Sequence, residues 1–187
     1  MKRTWLAILW LVACSTSASW ADEYSDTIEI FKNAGESGGF FHYCYGYAVF
    51  PTIGKGGLVV GGAYGTGRVY ARGKYVGDTA MTQVSIGLQA GGQSYSQIIF
   101  FQDERSFKEF TNGNYEFGTD ANAVAITAAA GASAGTTGAS AGASGGKNDA
   151  STRGSYYKGM AVFTVVKGGA MFQATLAGQK FKYTPKS

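Results

Sequence analysis

Residues 55–74 read Lys55-Gly56-Gly57-Leu58-Val59-Val60-Gly61-Gly62-Ala63-Tyr64-Gly65-Thr66-Gly67-Arg68-Val69-Tyr70-Ala71-Arg72-Gly73-Lys74. Short β-formers, bounded by glycine, fill this stretch. Leu58 to Tyr64 predicts one strand, Arg68 to Ala71 predicts the next, and Arg72-Gly73-Lys74 supplies the turn that follows. The same texture continues outward. Met81 to Gln89 alternates, with Thr82, Val84, Ile86 and Leu88 on one side and Met81, Gln83, Ser85 and Gly87 on the other. Tyr95 to Phe101 ends in Ile98-Ile99-Phe100-Phe101, an unbroken apolar run suited to a strand buried on both faces. The linkers are short and glycine-rich, as in a meander of antiparallel strands. Glycines inside the strand patterns (Gly61, Gly62, Gly87, Gly91 and Gly92) imply bulges, bends or close backbone approach in a strongly curved sheet.

Two helical segments interrupt this pattern. From Asp22 to Glu36, Tyr24, Thr27, Ile28, Phe31 and Ala34 fall at helical spacing, and acids crowd the first turn, where the helix dipole favours them. Asp103 to Asn112 is a short helix that Asp103 can cap and Gly113 can stop. Between the first helix and the first strand lies a dense aromatic run, Phe40 to Pro51, closing at the proline. Ala121 to Thr127 alternates again, and Met160 to Val166, Ala170 to Leu176 and Lys180 to Tyr183 read as strands parted by glycine turns. Residues 128–146 contain only Ala, Gly, Ser and Thr. They supply too little apolar area to offset ordering at about 1–2 kcal/mol per residue, so a loop over about 128–150 is expected. The fold class is therefore α+β and mostly β: a curved antiparallel sheet, in the extreme barrel-like, with short helices packed on it.

The N-terminus follows a different logic. Lys2 and Arg3 precede the uncharged run Trp5 to Ala13, and Ser19-Trp20-Ala21 places small residues where a signal peptidase needs them. The run falls short of the roughly 20 residues that span a bilayer. One reading is a signal peptide over residues 1–21, with the domain occupying 22–187. The other is a bacterial lipobox, Leu11-Val12-Ala13-Cys14, with signal residues 1–13 and a lipidated Cys14. Either way, the chain is expected to leave the cytoplasm for the periplasm or the periplasmic face of a membrane. Charge is uneven in what remains. Residues 22–36 carry five acids against Lys32, whereas residues 147–187 carry seven cations against Asp149, which implies a basic surface able to meet anionic lipid.

Little in the sequence supports enzymatic chemistry. His42 is the single histidine and sits among aromatics, so a Ser-His-Asp set would have to be built on it. Cys44, two residues on, finds no further ligand to complete a metal site, and without Cys14 it has no disulfide partner. Gly54-Lys55-Gly56-Gly57 lacks the spacing of a phosphate-binding P-loop, and Gly65-Thr66-Gly67 leads to a strand where a dinucleotide site needs a helix. No catalytic residue, metal, cofactor or nucleic-acid partner is expected. What stands out is aromatic and basic. Phe40, Phe41 and Tyr43 precede Lys55, and Arg68, Arg72 and Lys74 follow on the first hairpin. Aromatic rings favour the bilayer interface and Lys and Arg favour lipid phosphates, so these seven residues are the candidate contacts to anionic phospholipid. Lys55, flanked by glycines on a presumed turn, is a candidate anion site.

The chain resembles the SYLF family. Four stretches carry the likeness: Tyr45-Gly46-Tyr47-Ala48-Val49-Phe50-Pro51, Lys55 through Gly67, Gly87-Leu88-Gln89-Ala90-Gly91-Gly92-Gln93, and Phe117-Gly118-Thr119-Asp120-Ala121. The ending from Tyr156 to Phe181 looks like the bacterial branch. The resemblance implies lipid binding; eukaryotic members are associated with phosphoinositide membranes and some with actin, which an exported bacterial protein would not normally meet. Two features depart from the eukaryotic pattern, the acidic N-terminal helix and the Ala/Gly/Ser stretch. The expected function is a non-enzymatic, membrane-associated lipid-binding module. The rival is a small integral outer-membrane β-barrel, which glycine, tyrosine and alternating strands would also suit.

Overall fold

The computed structural model describes residues 19–57, 60–86, 92–119, 121, 123–126, 155–168 and 176–187. Residues 1–18 of the expected signal peptide, Cys14 among them, lie outside these residues. So do the Ala/Gly/Ser stretch and most of the strand expected from Ala170 to Leu176. Helix α1 runs Ser19–Asn33, α2 is the single turn Phe40–Tyr43, and α3 spans Glu104–Thr111. The strands are β1 Gly46–Gly57, β2 Val60–Ala71, β3 Lys74–Ile86, β4 Gln93–Phe101, β5 Asn114–Glu116, β6 Ala123–Ile126, β7 Met160–Gly168 and β8 Lys180–Pro185. They form one sheet in the order β5-β8-β3-β2-β1-β4-β7-β6.

The fold is mostly β, as expected, but its topology is not a meander. After the β1–β2 and β2–β3 hairpins, β4 returns to pair with β1, giving the spatial order of a Greek key. All pairings are antiparallel except β6 on β7, which is parallel. Two strand expectations merge: Gly65-Thr66-Gly67 does not break the chain, and β2 is continuous from Val60 to Ala71. Nor does Pro51 close the aromatic run. It sits inside β1, where the register slips between Val49 and Ile53 against β2 and between Phe50 and Ile53 against β4. A residue without an N–H can enter a central strand at such a bulge, because the ladder needs no donor there.

The sheet is rolled. Neighbouring strands lie about 4.8 Å apart, so flat geometry would put β1 about 14 Å from β8 and β4 about 19 Å from it. Yet the Phe50 and Phe181 ring centres are 5.6 Å apart, and Gln97 on β4 donates from its amide to Gln179, just before β8, at 3.0 Å. Among the described residues the ladder runs from β5 to β6 without the two edges pairing. Two glycines allow the roll. A Cβ on Gly67 would lie 2.7 Å from the Phe50 ring, and one on Gly65 would lie 2.6 Å from Ile53 Cγ1. Only bare backbone on β2 lets these two side chains lie across it.

Rolling creates two cores. The inner one holds Phe50, Ile53, Met81, Ile99, Phe101, Val162, Leu176 and Phe181, and α3 adds Phe110. The outer one packs Val49, Ile98, Phe100, Ala161 and Phe163 under α1 and α2, with Tyr24, Phe31 and Ala34 supplied by α1. The apolar run of β4 therefore alternates between two dry environments, as its sequence implied. Each fully buried Phe or Ile contributes roughly 1.5–3 kcal/mol of transfer free energy. Asp103 caps α3 through a capping box, accepting from the Ser106 N–H at 2.8 Å while its own N–H donates to Ser106 Oγ at 3.3 Å.

Candidate functional site

The sequence singled out aromatics on α2 and cations on the first hairpin, and the fold brings part of this set together at one end. The one-turn helix α2 sends Phe40 and Phe41 into the outer core. Phe40 stacks on Phe100 at 5.5 Å and meets Phe163 edge-on at 5.0 Å, while Phe41 meets Phe100 at 4.8 Å and Tyr47 at 5.2 Å. These two rings hold the sheet to the helices. Tyr43, one residue beyond His42, points the other way and is 83% exposed. Tyr45 then donates its N–H to Phe101 O and accepts at its own carbonyl from the Arg72 N–H at 2.9 Å, which fixes the β2–β3 hairpin beside α2.

That hairpin turns on Arg72 (φ 50) and Gly73 (φ 76), two left-handed residues in a row, with Ala71 paired to Lys74. The Arg72 guanidinium lies over the Tyr45 ring at 5.2 Å, and Lys74 is exposed. The same end receives Tyr157 and Lys158, because Met160 pairs with Phe101 and Arg105 donates to Lys158 O. Tyr157 is exposed, and the Lys158 ammonium sits 5.3 Å over its ring. Sequence reading missed this pair; its signal was an exposed aromatic next to a lysine, far away in the chain. Acids at this end are engaged: Glu104 bridges Lys108 at 2.9 Å, Glu109 bridges Arg105 at 3.1 Å, and Asp103 caps α3. Five cations (Arg72, Lys74, Arg105, Lys108 and Lys158) thus face three acids.

Two of the predicted cations stand elsewhere. Arg68 lies on the outer face, its guanidinium 4.3 Å over the Tyr24 ring and 5.4 Å from that of Tyr75, so it ties α1 to the hairpin. Lys55 is not on a turn. It is in β1, its backbone paired with Ala63 on one side and Gln93 on the other, so its amides are not free to form an anion nest. It shares the inner face with Ile53 and Ala63, near the end of the roll opposite the hairpin, about 30 Å of strand from Gly46 at roughly 3.3 Å per residue. Burial alone pushes its ammonium below the usual lysine range.

Burial also governs the tyrosines: the hydroxyls of Tyr47, Tyr95 and Tyr156 are each pushed up to about 12. The Cys44 thiol is raised by the same cause. The shifted carboxylates are structural. Asp103 is held low first by the Ser106 backbone N–H it caps, and Glu104 by its hydrogen bond to Lys108. Among the described residues no three His, Cys, Asp or Glu converge as a metal site would require, and no helix is long and apolar enough to cross a membrane. A groove of about 280 Å³ lies between β5 and β7, lined by buried Phe117, Met160, Val162 and Leu176 with Tyr115 and Lys158 beside them.

A family model described as Ysc84, Las17-binding protein actin regulator, matches residues 82–184, from the second half of β3 through β8. The chain belongs to this family, the SYLF family. It is also 28% identical over 158 residues to Beta cell expansion factor A of Aeromonas veronii, a SYLF-family protein, covering 82% of this chain and 51% of that one. The chain thus spans about half the length of that curated relative. The family-model match begins after all seven candidate lipid contacts, from Phe40 to Lys74, so it speaks to the scaffold and not to them.

Proposed function

We propose that this protein is a non-enzymatic, exported membrane-associated module that binds anionic phospholipid surfaces through the end bearing Tyr43, Arg72 and Lys74. SYLF membership supports a lipid-binding module. The observation that carries the finer reading is the exposure of Tyr43 beside a hairpin whose two cations project from a rigid, two-residue turn. An aromatic ring with a polar tip suits the headgroup layer, and each basic residue near an anionic surface contributes about 1 kcal/mol. Phe40 and Phe41 support this indirectly by anchoring α2, and Arg68 by anchoring α1. Neither the acids nor the histidine of this end form the paired acid and base that hydrolysis would need. A transmembrane barrel has a polar lumen and an apolar outer band. Here the inside is packed with Phe, Ile and Met, and the outside of β1, β4 and β7 is packed against helices.

Vesicle co-sedimentation tests the proposal. The protein should pellet with vesicles containing phosphatidylglycerol and not with pure phosphatidylcholine, and Arg72→Glu/Lys74→Glu should weaken this at least tenfold at low salt without lowering the melting temperature. Equal behaviour of the two vesicle types, or an unaffected double variant, would refute it.

A further inference from the structure

Among the described residues, only Arg72 (φ 50) and Lys158 (φ 51) hold a left-handed backbone without being glycine. Each is followed by a left-handed glycine, Gly73 (φ 76) and Gly159 (φ 81). Each pair forms the centre of a two-residue turn. Ala71 pairs with Lys74 across the first, and Tyr157 and Met160 close the second by exchanging N–H···O bonds of 2.8 and 3.0 Å. This geometry favours Asn-Gly, because asparagine tolerates the left-handed region better than a long side chain does. The turn itself therefore does not call for a cation at its first position, yet both turns carry one. Backbone held in a sparsely populated region clusters at functional positions.

The two turns leave the sheet at one level. Ala71 pairs with Gly46, Gly46 with Phe101, and Phe101 with Met160, a single row across β2, β1, β4 and β7. Three strand spacings of about 4.8 Å put the turns about 14 Å apart, less across the roll. Both are held in place. The Arg72 N–H donates to Tyr45 O at 2.9 Å. Gly159 is pressed onto the start of α3, where a Cβ would lie 2.8 Å from atoms of Arg105 and Ser106, and Arg105 donates to Lys158 O at 3.4 Å. Each cation sits over a tyrosine, Arg72 over Tyr45 at 5.2 Å and Lys158 over the half-exposed Tyr157 at 5.3 Å. The acids of α3 and its cap are engaged locally. Asp103 caps the helix, Glu109 bridges Arg105, and Glu104 bridges Lys108, with Arg72 acting on it through space. We infer that the Tyr157–Lys158 turn is a second headgroup contact, set beside the Arg72 hairpin so that both turns meet one anionic bilayer at the same depth. The inference rests on the lipid-binding reading above and adds residues that reading omits. A bilayer offers the same chemistry at every point of a plane, a phosphate layer over an interface that favours aromatic rings. Two like turns at one level, each a cation on a tyrosine, match such a plane. An acidic protein would supply charge at fixed points and no interface for the rings.

The experiment is co-sedimentation of the full chain with phosphatidylglycerol vesicles, read beside thermal melts, at about 0.1 M salt, where charges act over about 10 Å. Lys158→Asn gives the turn its favoured sequence, so its melting temperature should equal or exceed that of wild type. Its binding should fall about fivefold, the effect of one basic residue at an anionic surface. Arg72→Asn should behave alike, and the double variant should lose about twenty-fivefold. Lys158→Arg should bind as wild type does. Lys182→Gln removes the same charge at the position paired with Ala80, about 20 Å of strand from Lys74 at roughly 3.3 Å per residue, and should leave binding unchanged. Lys158→Asn that binds like wild type overturns the inference, while a loss in Arg72→Asn alone leaves the proposed function standing. Equal losses in Lys158→Asn and Lys182→Gln overturn it too, since net charge alone would then act. Lys158→Gly, a second uncharged residue suited to this backbone, must weaken binding equally; if it does not, the loss in Lys158→Asn reflects a disturbed turn and the inference falls. Polyglutamate bound in solution as tightly as vesicles, with the same loss in Lys158→Asn, would assign the turns to an acidic protein and overturn the lipid assignment. Wild type that fails to bind vesicles at all removes both readings.

Discussion

The roll of the sheet rests on a pair of side chains that a flat sheet would hold about 19 Å apart. Gln97 and Gln179 are fully buried and exchange two amide bonds, Gln97 Nε2 to Gln179 Oε1 at 3.0 Å and Gln179 Nε2 to Gln97 Oε1 at 3.3 Å. Gln179 Nε2 also reaches Tyr95 Oη at 3.3 Å. Replacing either glutamine with leucine removes the reciprocal pair and leaves the surviving amide desolvated with fewer partners. Each unsatisfied buried polar group costs about 1–3 kcal/mol, so either single variant should lose about 2–3 kcal/mol. The double variant Gln97→Leu/Gln179→Leu leaves no orphan amide and buries two apolar side chains of similar shape, so it should fall within about 1 kcal/mol of wild type. The coupling should thus be at least roughly 2 kcal/mol, well above the few tenths seen for independent sites. Urea unfolding followed by circular dichroism measures all three, with a constant slope required so that midpoints report stability. Strict additivity of the two singles, or singles costing under about 0.5 kcal/mol, would mean that the amides do not meet and that the sheet does not roll as described.

Three further outcomes follow from the same geometry. Gly67→Ala should cost about 1–3 kcal/mol, because its Cβ would sit 2.7 Å from the Phe50 ring, whereas Gly54→Ala, which meets nothing within 4 Å, should stay within about 0.5 kcal/mol; thermal melts compare the two. Asp103 titrates below its ordinary 3.8, so its contribution is complete above that value and is lost as pH falls through the lower folded value. The melting temperature of Asp103→Ala should therefore lag wild type at neutral pH and converge with it well below 3.8, and a constant gap would disprove the cap. Tyr47, Tyr95 and Tyr156 ionise near 12 when folded against 10.0 otherwise, so the folded state holds its protons longer and loses stability as pH climbs from 10.0 towards 12. Ultraviolet titration should show these tyrosines ionising late in the native protein, and all together near the ordinary value once urea unfolds it.

Sequence and fold agree where the information is local. The run Ile98 to Phe101 could not face water on either side, and it lies between two cores. Arg72-Gly73 is a turn because two left-handed residues in succession close a two-residue hairpin, and Asp103 caps α3 because its side chain can reach the N–H of Ser106. What could not be read depends on partners distant in the chain. Pro51 looked like a stop because the bulge that accommodates it exists only once β2 and β4 flank β1. Gly65 and Gly67 looked like a break because the side chains that need their bare backbone, Ile53 and Phe50, belong to another strand. The candidate contacts divide for the same reason. Phe40, Phe41, Tyr43, Arg68, Arg72 and Lys74 are alike in composition. Only the register shows that Phe40 and Phe41 pack inward and that Arg68 stacks on Tyr24, which leaves Tyr43, Arg72 and Lys74 outward.

The lengths of β1, β2 and β3 carry the remaining argument. These strands have twelve, twelve and thirteen residues, and among the described side chains α1 meets β2 through Tyr24, at Arg68 and Thr66. Past Thr66 the outer face contributes nothing to either core: Val60, Tyr64 and Val84 belong to neither buried cluster. Stability therefore does not explain why these positions are apolar, since exposed serine or threonine would keep the same ladder and surface exchanges typically change stability by less than about 0.5 kcal/mol. Nor does avoidance of strand-edge pairing explain it: at Tyr64 β2 is flanked by β1 and β3, and at Val84, where β3 has run past its β8 partner, an apolar side chain would invite edge pairing rather than prevent it. The three strands thus run past the buried clusters and leave Val60, Tyr64 and Val84 bare on the outer face, while Lys55 lies on the inner one, so the apolar character of these three positions is not set by packing within the described chain.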